Sequence, residues 1–302
     1  MTFRKVFILG AGAIGSVIGG LLSRNNDVVI VGNRAHVDIV NSSGLSISGD
    51  ANETLRVQAD TRIREIPQET LIFLTTKAYD SEKAIREIGQ LVREDTVILV
   101  LQNGLGNEEN VKHALGNEAN ILRGITTMAA EFMKAGEVRY WKGETTIERN
   151  SSAGEIVELM SACSLKAGVS ESIKDEIWGK VVVNSVVNPL TAIFRVRNRE
   201  IGGQPLASVR HHIVRECVQV GKAEGVVFPN DIEKDVDREI ARHTNFSSMC
   251  QDIMKQKRTE IDFLNGKIVQ LGEKHRIPTP VNETLVHLIK FLEEKNELPR
   301  KN

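Results

Sequence analysis

Cysteine is scarce in this chain and follows no pattern. Cys163, Cys217 and Cys250 are the only three in 302 residues, an odd number with no C-x-x-C spacing. That excludes a disulfide framework or a thiolate cluster as the organising device. Reduced, buried thiols in a cytoplasmic protein are the simplest expectation. A surplus of one charge is also missing. Thirty-nine basic and forty acidic residues leave a formal net charge of −1, and neither end carries a charged run. Nothing therefore points to nucleic acid or an anionic membrane as partner. No stretch of eighteen apolar residues runs free of charged and polar breaks, which argues against a membrane span. The seven histidines show no H-x-x-x-H spacing, so no metal is expected. Internal repeats and low-complexity tracts are missing too.

What is present begins at residue 6. Val6-Phe7-Ile8-Leu9 has the composition of a buried strand, and it breaks at Gly10 into a helix-like segment. Gly10, Gly12 and Gly15 form G-x-G-x-x-G in the strand–turn–helix context that gives the pattern its meaning. Gly10 permits the tight turn, Gly12 lets a pyrophosphate approach the backbone, and Gly15 lets the helix pack close to the strand. Gly10, Gly12, Ala13, Ile14 and Gly15 are thus the expected phosphate-loop contacts, at a helix N-terminus that favours negative charge. A signal peptide is the competing reading of Arg4, Lys5 and the apolar run behind them. Five glycines interrupt that run, and a strand pattern follows, so secretion is not expected.

A second buried strand, residues 28–31, leads into Gly32-Asn33-Arg34. An enzyme using NAD usually carries Asp or Glu there, on the ribose 2′-hydroxyl. A carboxylate repels a 2′-phosphate, whereas a guanidinium can clamp one, so Arg34 points to NADP(H). A solvated surface cation is the alternative for Arg34. Lys77 follows a strand at residues 71–75 and stands where it could hold the phosphate or adenosine end, with an exposed loop lysine as the alternative. Further strands are expected at 97–101, 121–128, 137–141 and 144–148, the last three extending the sheet. Residues 44–48 and 54–58 read as a small antiparallel insertion, and 81–93 has helical spacing.

The character changes near residue 170. Beyond it helical periodicity dominates, and Pro189, Pro205, Pro229, Pro278 and Pro280 divide the remainder into about five or six helical pieces. Residues 298–302 read as a frayed end. The expected organisation is a Rossmann-type doubly wound α/β domain binding a dinucleotide over 1–170, followed by an all-α helical substrate-binding domain over 171–302.

Polar residues stand out in that helical half. Lys180, Asn184 and Asn188 fall at i, i+4 and i+8 among valines, and so form one stripe of one apolar helix, which needs partners or a wet cavity. A surface stripe is the competing reading. Ser247-Ser248 precedes a segment that reads as one helix over 249–264, putting Ser248 near its N-cap and Glu260 three turns on. Asn103, in Leu101-Gln102-Asn103-Gly104-Leu105-Gly106, follows a buried strand where the nicotinamide end of a dinucleotide is expected. It reads equally as a turn residue before Gly104.

At these residues the sequence resembles the ketopantoate reductase (2-dehydropantoate 2-reductase) family. The resemblance is carried by Gly10 to Gly15, the Asn103 segment, Trp178-Gly179-Lys180 with Asn184 and Asn188-Pro189-Leu190-Thr191-Ala192, and Ser247-Ser248-Met249 with Arg258-Thr259-Glu260 through Asn265-Gly266. It implies NADPH-dependent reduction of 2-dehydropantoate to (R)-pantoate, on the route to pantothenate and coenzyme A. It also implies Lys180 as general acid, Glu260 beside it in catalysis, and Asn103, Asn184, Asn188, Asn198 and Ser248 as substrate contacts. Arg34 and Lys77 match the 2′-phosphate readers, and Asn103 is also expected on the cofactor. Many members carry Gly after the residue matching Asn198, where this chain has Arg199. A relative acting on another 2-keto acid and a non-catalytic NADP-sensing protein are the alternative readings; Lys180 and Glu260 together speak against the sensor. The expected partner is a small 2-keto acid, the expected location the cytoplasm, and a homodimer is the assembly to test.

Overall fold

The computed structural model describes residues 3–116, 119–229 and 231–297; the end segment 298–302 lies outside them. The chain forms two compact units. One holds residues up to Gln102 and from Gly106 to Ile173, the other Asn103–Leu105 and everything from Lys174 on.

The first unit runs β1 (Lys5–Leu9), α1 (Ala13–Leu22), β2 (Val28–Val31), α2 (Arg34–Ser43), β3 (Leu45–Gly49), β4 (Glu53–Leu55), β5 (Gln58–Asp60), β6 (Thr70–Leu74), α3 (Ser81–Ile88), β7 (Val97–Val100), α4 (Asn107–Leu115), β8 (Asn120–Thr126), β9 (Ala129–Lys134), β10 (Glu137–Trp141), β11 (Glu144–Glu148), α5 (Ala153–Ala162) and β12 (Lys166–Ser170). Its main sheet has the order β12-β11-β8-β7-β6-β1-β2-β5. The pairs from β5 to β8 are parallel, and β8 against β11 is antiparallel. The chain leaves β1 for β2 on one side and later returns to β6 on the other, so β1 lies at the switch point of a doubly wound Rossmann-like sheet. Both faces are covered, which is why β1 is apolar throughout. Val6 and Ile8 join one core cluster, while Phe7 and Leu9 join another.

Two expectations need correction here. Residues 137–141 do form a strand, but β10 does not extend the main sheet. It pairs parallel to β3 and antiparallel to β9 in a separate four-stranded sheet of order β4-β3-β10-β9. The insertion expected at 44–58 is the other half of this small sheet, with β3 and β4 antiparallel. Its second run stops at Leu55, because Gln58–Asp60 crosses to pair with β2.

The second unit is helical: α6 (Ile173–Phe194), α7 (Ala207–Ala223), α8 (Ile232–Arg242), α9 (Ser248–Met254), α10 (Asn265–His275) and α11 (Pro280–Glu297). By length and composition α6 could cross a bilayer, yet 67% of that apolar window is buried, as in the core helix of a globular unit. Pro189 does not divide the chain as expected; α6 continues through it. Nor does one helix cover 249–264. After Met254 the chain closes in a Schellman turn, with Gln256 at φ 54° and Lys257 N–H donating to Asp252 O at 2.8 Å. Glu260 therefore sits on the loop behind α9, just before a single 3₁₀ turn, Ile261–Phe263.

Candidate active site

In the α/β unit, the carboxyl ends of adjacent parallel strands gather the nucleotide candidates. Gly10 takes φ +120°, and a Cβ on it would overlap the backbone nitrogen of Thr76. The Gly10 and Ala11 N–H groups donate to Val31 O at 3.1 and 2.8 Å, while Thr75 Oγ1 donates to Gly10 O at 2.8 Å. The glycine turn is thereby tied to the ends of β2 and β6. A Cβ on Gly15 would overlap Gly10 O, so α1 lies directly against the turn. A Cβ on Gly12, by contrast, would meet nothing within 4 Å. Gly12 is the N-cap of α1, which has no side-chain cap and no acidic residue in its first turn. The first-turn N–H groups are thus left for a ligand, and the open side of Gly12 fits a phosphate.

Arg34 opens α2 behind the Asn33 cap, whose side chain accepts from His36 N–H at 3.0 Å. Its guanidinium is exposed, 3.9 Å from Asp38 Oδ1, and so can turn toward an incoming phosphate. Lys77 is partly buried behind β6, at the start of the turn Ala78–Asp80. These residues fit a dinucleotide.

Sequence reasoning missed two groups that organise this edge. His36 is fully buried. Its Nδ1 accepts from Gly136 N–H at 3.0 Å, which leaves Nε2–H to face Ser16 Oγ at 3.1 Å. It joins α1, α2 and the β9–β10 turn, and burial pushes its pKa below the ordinary value. Arg123, 2% exposed on β8, donates to Val100 O, Gly124 O and Gln102 O at 2.7–2.8 Å. It also faces Glu108 at 3.2 Å. Burial pushes the Glu108 carboxyl up and the Arg123 guanidinium down, each against the pull of the other. Together they clamp the end of β7 where the chain turns into Asn103. An arginine inside an apolar strand was the available signal.

In the helical unit, Lys180 Nζ donates to Asn103 Oδ1 at 3.0 Å. Residues 77 positions apart in the chain thus meet, and Asn103, in the bend before Gly104, has a side-chain partner. Lys180 and Asn184 are half-buried and Asn188 is buried. The Asn103 loop also reaches the segment after Glu260. Leu105 N–H donates to Phe263 O at 3.0 Å, and Gly104, at φ +90°, packs so closely there that a Cβ would overlap the same oxygen. Glu260 is 7% exposed. Loop 103–105 therefore connects Lys180 with the turn led by Glu260.

Asn198 is buried on a 3₁₀ turn, its N–H donating to Asn245 O at 3.0 Å. Ser248 is exposed at the start of α9, but the cap is its neighbour. Ser247 Oγ accepts from Cys250 N–H at 3.0 Å and meets Thr191 Oγ1 at 2.7 Å. The three cysteines are buried and free, and burial pushes the Cys217 thiol to about 12.

The family described as Ketopantoate reductase PanE/ApbA matches residues 6–152, and its C-terminal domain matches 172–293. A Pyrococcus horikoshii protein named 2-dehydropantoate 2-reductase is 37% identical over 299 residues, covering 96% of this chain and 97% of the relative. The chain belongs to the ketopantoate reductase family. Among solved structures, a PanE/ApbA family ketopantoate reductase from Ralstonia eutropha superposes with a TM-score of 0.90 at 28% identity, covering 97% of this chain and 100% of that one. A D-mandelate dehydrogenase bound to NADH and anilino(oxo)acetate gives the same TM-score, identity and coverage. Family membership makes this chain an oxidoreductase, built as a Rossmann-like unit followed by a helical one.

Proposed function

We propose that the protein reduces 2-dehydropantoate to (R)-pantoate with NADPH, supplying pantothenate and coenzyme A synthesis in the cytoplasm. The observation that carries this reading is the Lys180–Asn103 hydrogen bond, which holds the stripe's one cation by a neutral acceptor. When bound, the reduced nicotinamide supplies the hydride. Negative charge then builds on the ketone oxygen, where the Lys180 ammonium stabilises it and delivers the proton. Asn103 orients the ammonium without neutralising it. Glu260 orients Lys180 or takes a substrate hydroxyl. Asn184, Asn188 and Asn198 hold hydroxyl and carbonyl oxygens, and Ser248 with nearby N–H groups receives the carboxylate. Residues 1–170 bind the cofactor through Gly10, Gly12, Ala13, Ile14, Gly15, Arg34 and Lys77, with Asn103 at the nicotinamide end. Residues 171–302 bind the keto acid.

A second reading, reduction of another 2-keto acid, is favoured by the likeness to a D-mandelate dehydrogenase. One assay decides between them: oxidation of NADPH and of NADH with 2-dehydropantoate and with a panel of other 2-keto acids. Higher kcat/KM for 2-dehydropantoate with NADPH is expected, and a preference for a different keto acid or for NADH replaces the corresponding half of the proposal. Sedimentation of the purified chain tests the homodimer.

A further inference from the structure

Helix α6 breaks its own hydrogen-bond ladder inside the polar stripe. Pro189 has no N–H to give Ser185 O, four residues before it, and its ring crowds that carbonyl. Ser185 is fully buried, so water cannot serve the stranded oxygen. Instead Asn265 Nδ2, at the start of α10, donates to Ser185 O at 2.9 Å. The second hydrogen of that amide goes to Asn282 Oδ1, also at 2.9 Å. Asn282 Nδ2 in turn donates to Glu216 Oε2 at 2.7 Å, and the Glu216 carboxylate accepts the Val281 and Asn282 N–H groups at 3.0 Å each. Asn265 and Asn282 are 0% exposed and Glu216 3%. Three helices, α7, α10 and α11, thus converge on one carbonyl of a fourth.

The place of that carbonyl gives the network its meaning. The missing bond would join residues 185 and 189, and so spans Asn188, the third member of the Lys180–Asn184–Asn188 stripe. The local helix geometry around this gap sets where Asn188 stands relative to Lys180. We propose that Asn265 is a positioning residue for the keto-acid site: by capping the carbonyl that Pro189 strands, it holds the geometry of α6 at the one point where the ladder does not. This rests on the α6 stripe being the substrate-binding face. In this chain one segment creates an acceptor that the other fills.

The test is a double-mutant cycle of wild type, Pro189→Ala, Asn265→Ala and the double variant, each measured in two ways. The thermal midpoint without substrate reads the coupling. Asn265→Ala is expected to lower it clearly in the wild type and less in the Pro189→Ala background, where the restored N–H at residue 189 takes Ser185 O. Equal losses in the two backgrounds overturn the coupling. The second measurement is KM for whichever 2-keto acid of the panel the wild type reduces. Asn265→Ala is expected to raise it about tenfold, equivalent to about 1.4 kcal/mol, with NADPH affinity unchanged. Pro189→Ala should keep or raise the thermal midpoint and still raise KM, a combination that a purely structural role does not produce. A Pro189→Ala enzyme with wild-type KM overturns the positioning role, even if Asn265→Ala fails to fold. Wild-type indifference to 2-dehydropantoate removes only the substrate assignment, because neither arm of the cycle depends on that compound.

Discussion

The α/β unit and the helical unit build their candidate ligand groups from different materials. In the first, the ligand-facing groups are largely backbone: the N–H groups behind Gly12, on a turn shaped by Gly10 and closed against α1 at Gly15. In the second they are side chains on a long apolar helix, held in place by other side chains such as Asn103, Thr191, Ser247 and Asn265. A backbone site needs only a few residues of one special type at close spacing. A side-chain site needs a scaffold, and its scaffold residues are scattered through the chain.

The largest effect should come from removing the one cation of the side-chain site. Lys180→Ala is expected to lower kcat by about 10²- to 10⁴-fold, the usual loss with a general acid. NADPH affinity, read by fluorescence titration, should hardly move. A variant with wild-type kcat would take Lys180 out of the chemistry and dissolve the comparison.

Next comes Arg34, one of the side chains proposed to hold the nucleotide. Arg34→Asp should raise KM for NADPH roughly tenfold to a hundredfold, for a lost charge-assisted contact of roughly 1.5–3 kcal/mol. NADH should be spared. Equal losses with both cofactors would mean that Arg34 supports the fold rather than reading the phosphate.

Two glycine variants sharpen the comparison further. Gly15→Ala forces a Cβ onto Gly10 O and should destabilise the unit by roughly 1–3 kcal/mol, as overpacking does. Gly12→Ala meets no protein atom, so its melting temperature should stay near wild type while NADPH binding weakens. If both variants lose the same stability, the space outside Gly12 is not the phosphate site.

The smallest expected effect is a pH dependence of stability from His36. Burial depresses its folded-state pKa below 6.5, so the unfolded chain takes up the proton first as pH falls. The stability due to the neutral ring is complete above about pH 6.5 and is lost as pH falls toward the folded pKa, at no more than about 1.4 kcal/mol per pH unit. Denaturant melts of the wild type and His36→Asn between pH 7.5 and 5 should converge at the acid end. Parallel curves would assign the acid sensitivity elsewhere.

This difference in materials also explains what could be read in the sequence. The glycine fingerprint and the β-branched strands are local signals, and β1, β2, β6 and β7 follow them. Val138 and Tyr140 alternate as a strand requires, but alternation names no partner, and β3 lies some ninety residues away. β12 has no apolar run to announce it, since its pattern is mostly half-exposed. The break after α9 was hidden because the left-handed position is filled by Gln256, where Gly or Asn is the usual marker. The polar stripe was legible because asparagine is conspicuous among valines. Its supports were not: Asn265 looks ordinary until Pro189 is seen to leave a carbonyl behind.

The assignment of Asn103–Leu105 to the helical unit has a practical side. The polypeptide enters that unit twice, first as a three-residue visit and then for good at Lys174. A fragment beginning at residue 174 would therefore arrive without Asn103, an acceptor for Lys180, however well it folded. Chimeras that exchange the helical half between relatives to alter substrate choice inherit the same difficulty. A graft that carries residues 103–105 along moves a whole recognition surface, whereas one cut only near 173 joins a lysine from one parent to an asparagine loop from the other.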